Sequence, residues 1–153
     1  MPDIFISYST ADEQLARFLH QHLTKEGVEV FLAGVSLQPG QQWSQEILNS
    51  LKASSWVLFL ASRAACASPW VQQELGAALV TKKKLVPIIW DMEPTELPGW
   101  IKNFQALNLK GATIENLKTQ MTIIANNIKS DKVQGLFVVG VLAFGLLVLG
   151  SKS

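Results

Sequence analysis

Short apolar runs alternate along the chain with stretches in which apolar residues recur every three or four positions. DIFISY (residues 3–8) is apolar, β-branched and aromatic and ends in a polar Ser-Tyr-Ser-Thr, which predicts a buried strand opening into a loop. Leu15, Phe18, Leu19, His22 and Leu23 follow at helical spacing, with Thr10 or Asp12 placed to cap that helix and Gly27 to stop it. VEVFL (28–32) predicts a second strand, and AGVSLQPGQQW after it a loop turned by Pro39-Gly40. Ile47, Leu48 and Leu51 mark the inner face of a helix over about 44–53, whereas WVLFLA (56–61) is too short for a helix and reads as a fully buried strand. Ser68-Pro69 supplies an N-cap followed by proline at the first helical position, opening a helix to about Thr81 with Val71, Leu75, Ala78 and Leu79 inward. LVPIIW (85–90) is a fourth strand whose borders Pro87 loosens, and FQALNL (104–109) a fifth. From Thr113 a last helix presents Ile114, Leu117, Met121, Ile124 and Ile128.

Five buried strands alternating with helices imply an α/β fold: a parallel sheet of flavodoxin-like order with helices on both faces, over residues 1–130. In such a sheet ligands bind beyond the carboxyl ends of the strands. The rim so defined carries Ser7-Tyr8-Ser9, the 33–43 loop, Ser62-Arg63 and Trp90-Asp91.

Residues 131–153 follow a different pattern. VQGLFVVGVLAFGLLVLGS (133–151) contains no charge and lies between Lys132 and Lys152. As a helix it would be about 28 Å long, close to the ~30 Å of a bilayer's hydrocarbon core. The expectation is a C-terminal transmembrane tail anchor, with no signal peptide before the domain and the lipid bilayer as a partner. Lys129 and Lys132 before the span outnumber Lys152 after it, which fits a cytoplasmic domain. Glycines at 135, 140, 145 and 150 give no GxxxG seam for a tight transmembrane dimer.

Charge and composition narrow the chemistry. The chain has 13 Lys+Arg and 12 Asp+Glu. Without Lys152, residues 1–132 balance at zero, so a nucleic-acid partner is not expected. The one basic run, Lys82-Lys83-Lys84, is placed to cap a helix C-terminus. Cys66 is the sole cysteine, which excludes an internal disulfide, and His20 and His22 share one helix, which leaves no zinc-ligand spacing. There is no GxGxxG, no phosphate-binding P-loop and no GxSxG elbow, and Ser62 stands where a phosphoacceptor aspartate would end strand three. Cys66 reads as a small, partly buried residue, Asp91 as a turn residue and Arg63 as a solvated loop arginine.

One carboxylate stands out by position. Glu74 follows Trp70 by four residues, a spacing that stacks the two on one helical face, although a lone helical glutamate is usually just solvated. With DIFISYS, FLAGVSLQPGQQW, SPWVQQE and LVPIIW in this order, residues 3–128 resemble a Toll/interleukin-1 receptor (TIR) domain of the bacterial type. The S-x-W-x-x-x-E pattern at 68–74 is the specific element. The resemblance implies that Glu74 is the catalytic residue for cleaving the nicotinamide–ribose bond of NAD+, which is a substrate here, with no cofactor or metal. It also implies that Trp70 lines the pocket and that Ser7, Tyr8, Ser9 and Trp43 contact the nucleotide. The loop containing Leu37, Pro39 and Gly40 would mediate self-association with other TIR domains, in immune or cell-death signalling. Many relatives carry an acid just after strand two, where this chain has Ala33-Gly34. The alternative within the same family is a non-catalytic adaptor acting through TIR–TIR contacts.

Overall fold

The computed structural model describes residues 2–35, 44–68, 72, 73, 75, 76, 83–99, 101 and 104–134. Strands β1 (Ile4–Ser9), β2 (Val30–Val35), β3 (Trp56–Leu60), β4 (Lys84–Ile89) and β5 (Leu107–Asn108) pair in parallel in the order β2-β1-β3-β4-β5, the flavodoxin-like order expected. Ile4 stands opposite Val30 on one side and Trp56 on the other, so all strand starts lie at one end of the sheet and all strand ends at the opposite rim.

Side chains alternate across the sheet and build a core on each face. Ile4, Ile6, Tyr8, Trp56, Leu58, Leu60, Val86 and Ile88 meet Leu19 and Leu23 of α1 (Glu13–Lys25) and Met121, Ile124, Ala125 and Ile128 of the last helix, α4 (Ile114–Gln134). Phe5, Val57, Phe59, Leu85 and Ile89 face the other way, towards Leu51 of α2 (Gln45–Ala53), Ala65 of the single-turn α3 (Arg63–Cys66) and Leu75. Burial on both faces explains why these strands read as unbroken apolar runs. Each such leucine, isoleucine or phenylalanine contributes about 1.5–3 kcal/mol.

Several borders differ from the sequence reading, each for a physical reason. β2 continues through Ala33-Gly34-Val35, expected as loop, because Tyr8 and Ser9 extend the ladder opposite Gly34 and Val35. β5 shrinks to two residues. Its short ladder also resolves Pro87: the Ile89 carbonyl faces β5, so the alternation turns the Pro87 nitrogen to that side, ahead of where β5 pairing begins at Ile88. Ile114, expected inward, is 60% exposed, because the first turn of α4 precedes its contact with the sheet. α3 is a helix that no periodicity announces, since one turn is shorter than the pattern. Residues 72, 73, 75 and 76 are helical, within the expected 69–81 helix.

Caps follow the expected chemistry at two ends. Gly27, at φ 89°, closes α1 while its N–H bonds the Thr24 carbonyl. Thr113 and Asn116 exchange side-chain-to-backbone bonds of 3.1 and 3.2 Å at the start of α4, a capping box with asparagine in the glutamate position. The basic run does cap a helix, but a different one: Lys83 Nζ donates to the carbonyls of Lys52 and Ser54 at the end of α2 (2.8 and 2.6 Å), while Lys84 opens β4.

The end of α4 is bonded to the strand-start edge. Asp131 Oδ2 accepts from Trp56 Nε1 at 3.0 Å and from Lys84 Nζ, whose charge sits over the Trp56 ring at 4.9 Å. Lys132 pairs with Asp3 at 3.1 Å, and Lys129 Nζ bonds the Glu26 carbonyl at 2.8 Å. Position 130/131, the expected junction between domain and tail, falls inside this unbroken helix. Among the described residues no helix is long and apolar enough to cross a membrane, and residues 135–151 of the apolar run lie outside them.

Candidate functional site

The strand order reverses direction between β1 and β3, which opens a crevice at their carboxyl ends. Two polar side chains bridge it. Ser62, just past β3, donates its hydroxyl proton to Asp12 Oδ2 at 2.5 Å, and both residues are buried. The same Ser62 oxygen accepts from Ala65 N at 3.2 Å and so caps α3. Asp12 occupies the N-cap position of α1, as expected, yet makes no capping bond with its side chain. Its carboxyl group is held above the usual carboxylate range, first by burial and then by the Asp91 charge, with the Ser62 hydrogen bond acting in the opposite sense.

Asp91, two residues past β4, accepts from Arg63 N at 3.1 Å, so the first turn of α3 is gripped from the ends of two strands. Arg63 folds back onto the Asp91 carbonyl (Nε, 3.2 Å) and pairs with Glu96 at 3.2 Å while staying 65% exposed. Beyond α3, the Cys66 carbonyl accepts from Gln72 Nε2 at 2.5 Å and Gln72 N donates to the Ser68 carbonyl at 3.2 Å. Leu75 is fully buried in the core of that face. The Cys66 thiol is pushed up to about 11, by burial and then by Asp91, which agrees with a small, partly buried residue without nucleophilic character.

Ser7, Tyr8 and Ser9 are contiguous in sequence but divide between the two faces of β1. Ser7 is fully buried on the α2–α3 face, beside Ala33 and Phe59, and its hydroxyl has no hydrogen-bond partner among the described residues. Ser9 accepts from Ala11 N at 3.3 Å, capping a 3-10 turn at Thr10–Asp12. Tyr8 points to the α1–α4 face and lays its hydroxyl across Gly34, where a Cβ would meet it at 2.8 Å. Burial, and then Glu13, hold the Tyr8 phenol above its ordinary pKa of 10.0. The backbone space beside Gly34 is thus filled by Tyr8. Trp90 at the end of β4 lines a cleft of about 310 Å³ with Leu15, Leu109 and Leu117.

Glu74, Trp70, Trp43, Leu37, Pro39 and Gly40 lie outside the described residues. Sequence reasoning missed Asp12 as a crevice residue, because an Asp before a helix reads as a local cap. It also missed α3, for which Ser62 was the available N-cap signal. Neither histidine reaches the rim: His22 Nε2 lies 3.0 Å from Thr122 Oγ1, joining α1 to α4. Among the described residues no group of three His, Cys, Asp or Glu could hold a metal ion.

Comparison with known proteins accounts for this architecture. Residues 4–121 match the family model described as TIR domain. The chain is 34% identical over 109 residues to NAD(+) hydrolase SARM1 of Danio rerio, covering 63% of this chain and 15% of that protein. It is 26% identical over 97 residues to the probable 2' cyclic ADP-D-ribose synthase BdTIR of Brachypodium distachyon, covering 62% of this chain and 43% of the relative. The matches thus span less than half the length of either curated relative. In fold, it is similar to the TIR domain of the Toll-related receptor TRR-2 of Hydra magnipapillata, at a TM-score of 0.59 and 17% identity, over 79% of this chain and 98% of that one. The match of residues 4–121, together with the parallel sheet in its β2-β1-β3-β4-β5 order, makes this chain a member of the TIR domain family.

Proposed function

We propose that this TIR domain cleaves the nicotinamide–ribose bond of NAD+, with Glu74 as the catalytic carboxylate. The observation that carries the reading is the SPWVQQE sequence at 68–74, which follows directly on a segment bonded into the β1–β3 crevice. Family membership and the names of the two curated relatives, one an NAD(+) hydrolase and one a probable cyclic ADP-ribose synthase, support it.

The chemistry needs little from the protein beyond charge and position. The C–N bond breaks heterolytically, nicotinamide leaves as a neutral ring with the bonding pair, and the ribose carbon becomes an oxocarbenium-like cation. A carboxylate beside it stabilises that cation or holds the ribose hydroxyls, and water or a nucleophile within the nucleotide completes the reaction. No general acid is required, because the leaving ring is already cationic. In this reading Trp70 and Trp43 line the pocket beside the carboxyl end of β1. Self-association through the loop bearing Leu37, Pro39 and Gly40 switches the domain on, in immune or cell-death signalling. The apolar run at 133–151 anchors the domain to a membrane from the cytoplasmic side and raises its local density.

The test is nicotinamide release by the full chain at high surface density on vesicles. Glu74→Gln should lower turnover by about 10²-fold or more while leaving the melting curve in place. Full turnover by that variant overturns the assignment. Resistance of the full chain to carbonate extraction, lost on truncation after Gln134, tests the anchor.

The alternative is a non-catalytic adaptor that acts through TIR–TIR contacts. A folded, dense and silent wild type, whose signalling fails on Pro39 substitution and not on Glu74 substitution, would establish that alternative.

A further inference from the structure

We infer that Asp12 is a positioning residue of the proposed site, acting through Ser62 to hold the segment that leads to Glu74. The inference rests on the NAD+-cleaving reading for its kinetic consequence, but its structural content stands on the bonds themselves.

Asp12 forgoes the local bond its place before α1 offers and directs its carboxylate across the crevice instead. Donor and acceptor roles there are fixed. An ionised carboxylate cannot donate, so the single Ser62 proton goes to Asp12 and a lone pair of the same oxygen goes to the Ala65 N–H. The Ser62 side chain is locked in one orientation, and with it the first turn of α3. From α3 the connection continues through the Cys66 carbonyl to Gln72, and Leu75 is buried against the sheet. Glu74 stands in the sequence between two helical residues of that segment, Gln73 and Leu75. Asp91 grips the same turn at Arg63 N, so it is the charged group facing Asp12 from just past β4, with Arg63 itself paired to Glu96. Asp12 therefore joins the end of β1 to the segment after β3 by bonds that a neutral or shorter side chain would weaken or lose.

The experiment uses the full chain on vesicles. Asp12→Ala should lower kcat at least about tenfold with KM for NAD+ unchanged, as expected for a misplaced catalytic group. Asp12→Asn, which keeps an acceptor for Ser62, should recover to within about threefold of wild type, and Ser62→Ala should cost less when added to Asp12→Ala than it costs alone, the remainder being its own cap on Ala65 N. Hydrogen exchange supplies a readout independent of activity: amides of residues 63–76 should exchange at least about tenfold faster in Asp12→Ala, with α4 unchanged. Equal losses in kcat and KM, additive effects of the two alanines, or unchanged exchange at 63–76 would overturn the inference. If Asp12→Ala does not fold, Ser62→Ala carries the same kinetic and exchange predictions. A wild type without turnover defeats the NAD+ reading, and the exchange result then decides the positioning role alone.

Discussion

The contact between Tyr8 and Gly34 shows how one missing side chain sets its neighbourhood. A Cβ at position 34 would stand 2.8 Å from the Tyr8 hydroxyl and 3.0 Å from its Cζ, and the buried ring has little room to retreat. Gly34→Ala is expected to lower unfolding stability by about 1–3 kcal/mol in urea titration. Tyr8→Phe in that background should recover part of the loss, because it removes the closer atom. Asp12 gives a prediction in pH. Its folded pKa is raised, so the native state holds this proton to higher pH than the unfolded chain does. The contribution to stability is therefore complete below the unfolded carboxylate value of about 4 and is lost as pH rises through the folded value. Urea midpoints measured across that range should show the loss in wild type and a flatter profile in Asp12→Asn.

At the scale of elements, the attachment of α4 to the sheet rests on a nearly buried ion pair. The Lys84 and Asp131 side chains are 9% and 12% exposed, and Trp56 donates to the same carboxylate. Burial lowers the Lys84 pKa, with Asp131 opposing that shift. Lys84→Met strands the Asp131 charge and should cost about 3–5 kcal/mol, whereas Lys84→Met with Asp131→Leu should come close to wild type. The summed fluorescence of the five tryptophans during urea unfolding reports both. The elements themselves were largely legible, because strands covered on both faces appear as apolar runs and α1, α2 and α4 as helical periodicities. What escaped the reading depends on partners distant in sequence. The end of β2 is set by pairing with Tyr8 and Ser9, Lys83 caps α2 where a helix of its own neighbourhood was expected, and Asp12 bonds a serine fifty residues on. For the candidate site, the sequence named the rim correctly at Ser62-Arg63 and Asp91. It grouped Ser7, Tyr8 and Ser9 as one set, although the period of two sends Tyr8 to the opposite face.

Over the whole molecule, the direction of the strands separates two ends with different roles. The candidate site lies at the carboxyl rim, while α4 runs back to finish at the strand-start edge, bonded to Asp3, Trp56 and Lys84. Anything continuing from α4 therefore leaves from the end opposite the rim. Under the proposed anchoring the rim faces away from the bilayer, at about 30 Å for a helix of this length. A maleimide-reactive cysteine at exposed Thr10 should then be labelled equally well in vesicle-bound and detergent-extracted protein. Reduced labelling on vesicles would place the rim against the lipid.

The ion pair between Asp3 and Lys132 has a consequence for how such a domain is built into larger chains. The backbone enters and leaves the fold at adjacent points, so the unit is topologically close to a closed loop. A few glycines joining those points, with new ends opened at Lys110-Gly111, should give a circular permutant that keeps the same sheet. By the same geometry, the domain could be spliced into a surface turn of an unrelated host without prying the host's flanking strands apart.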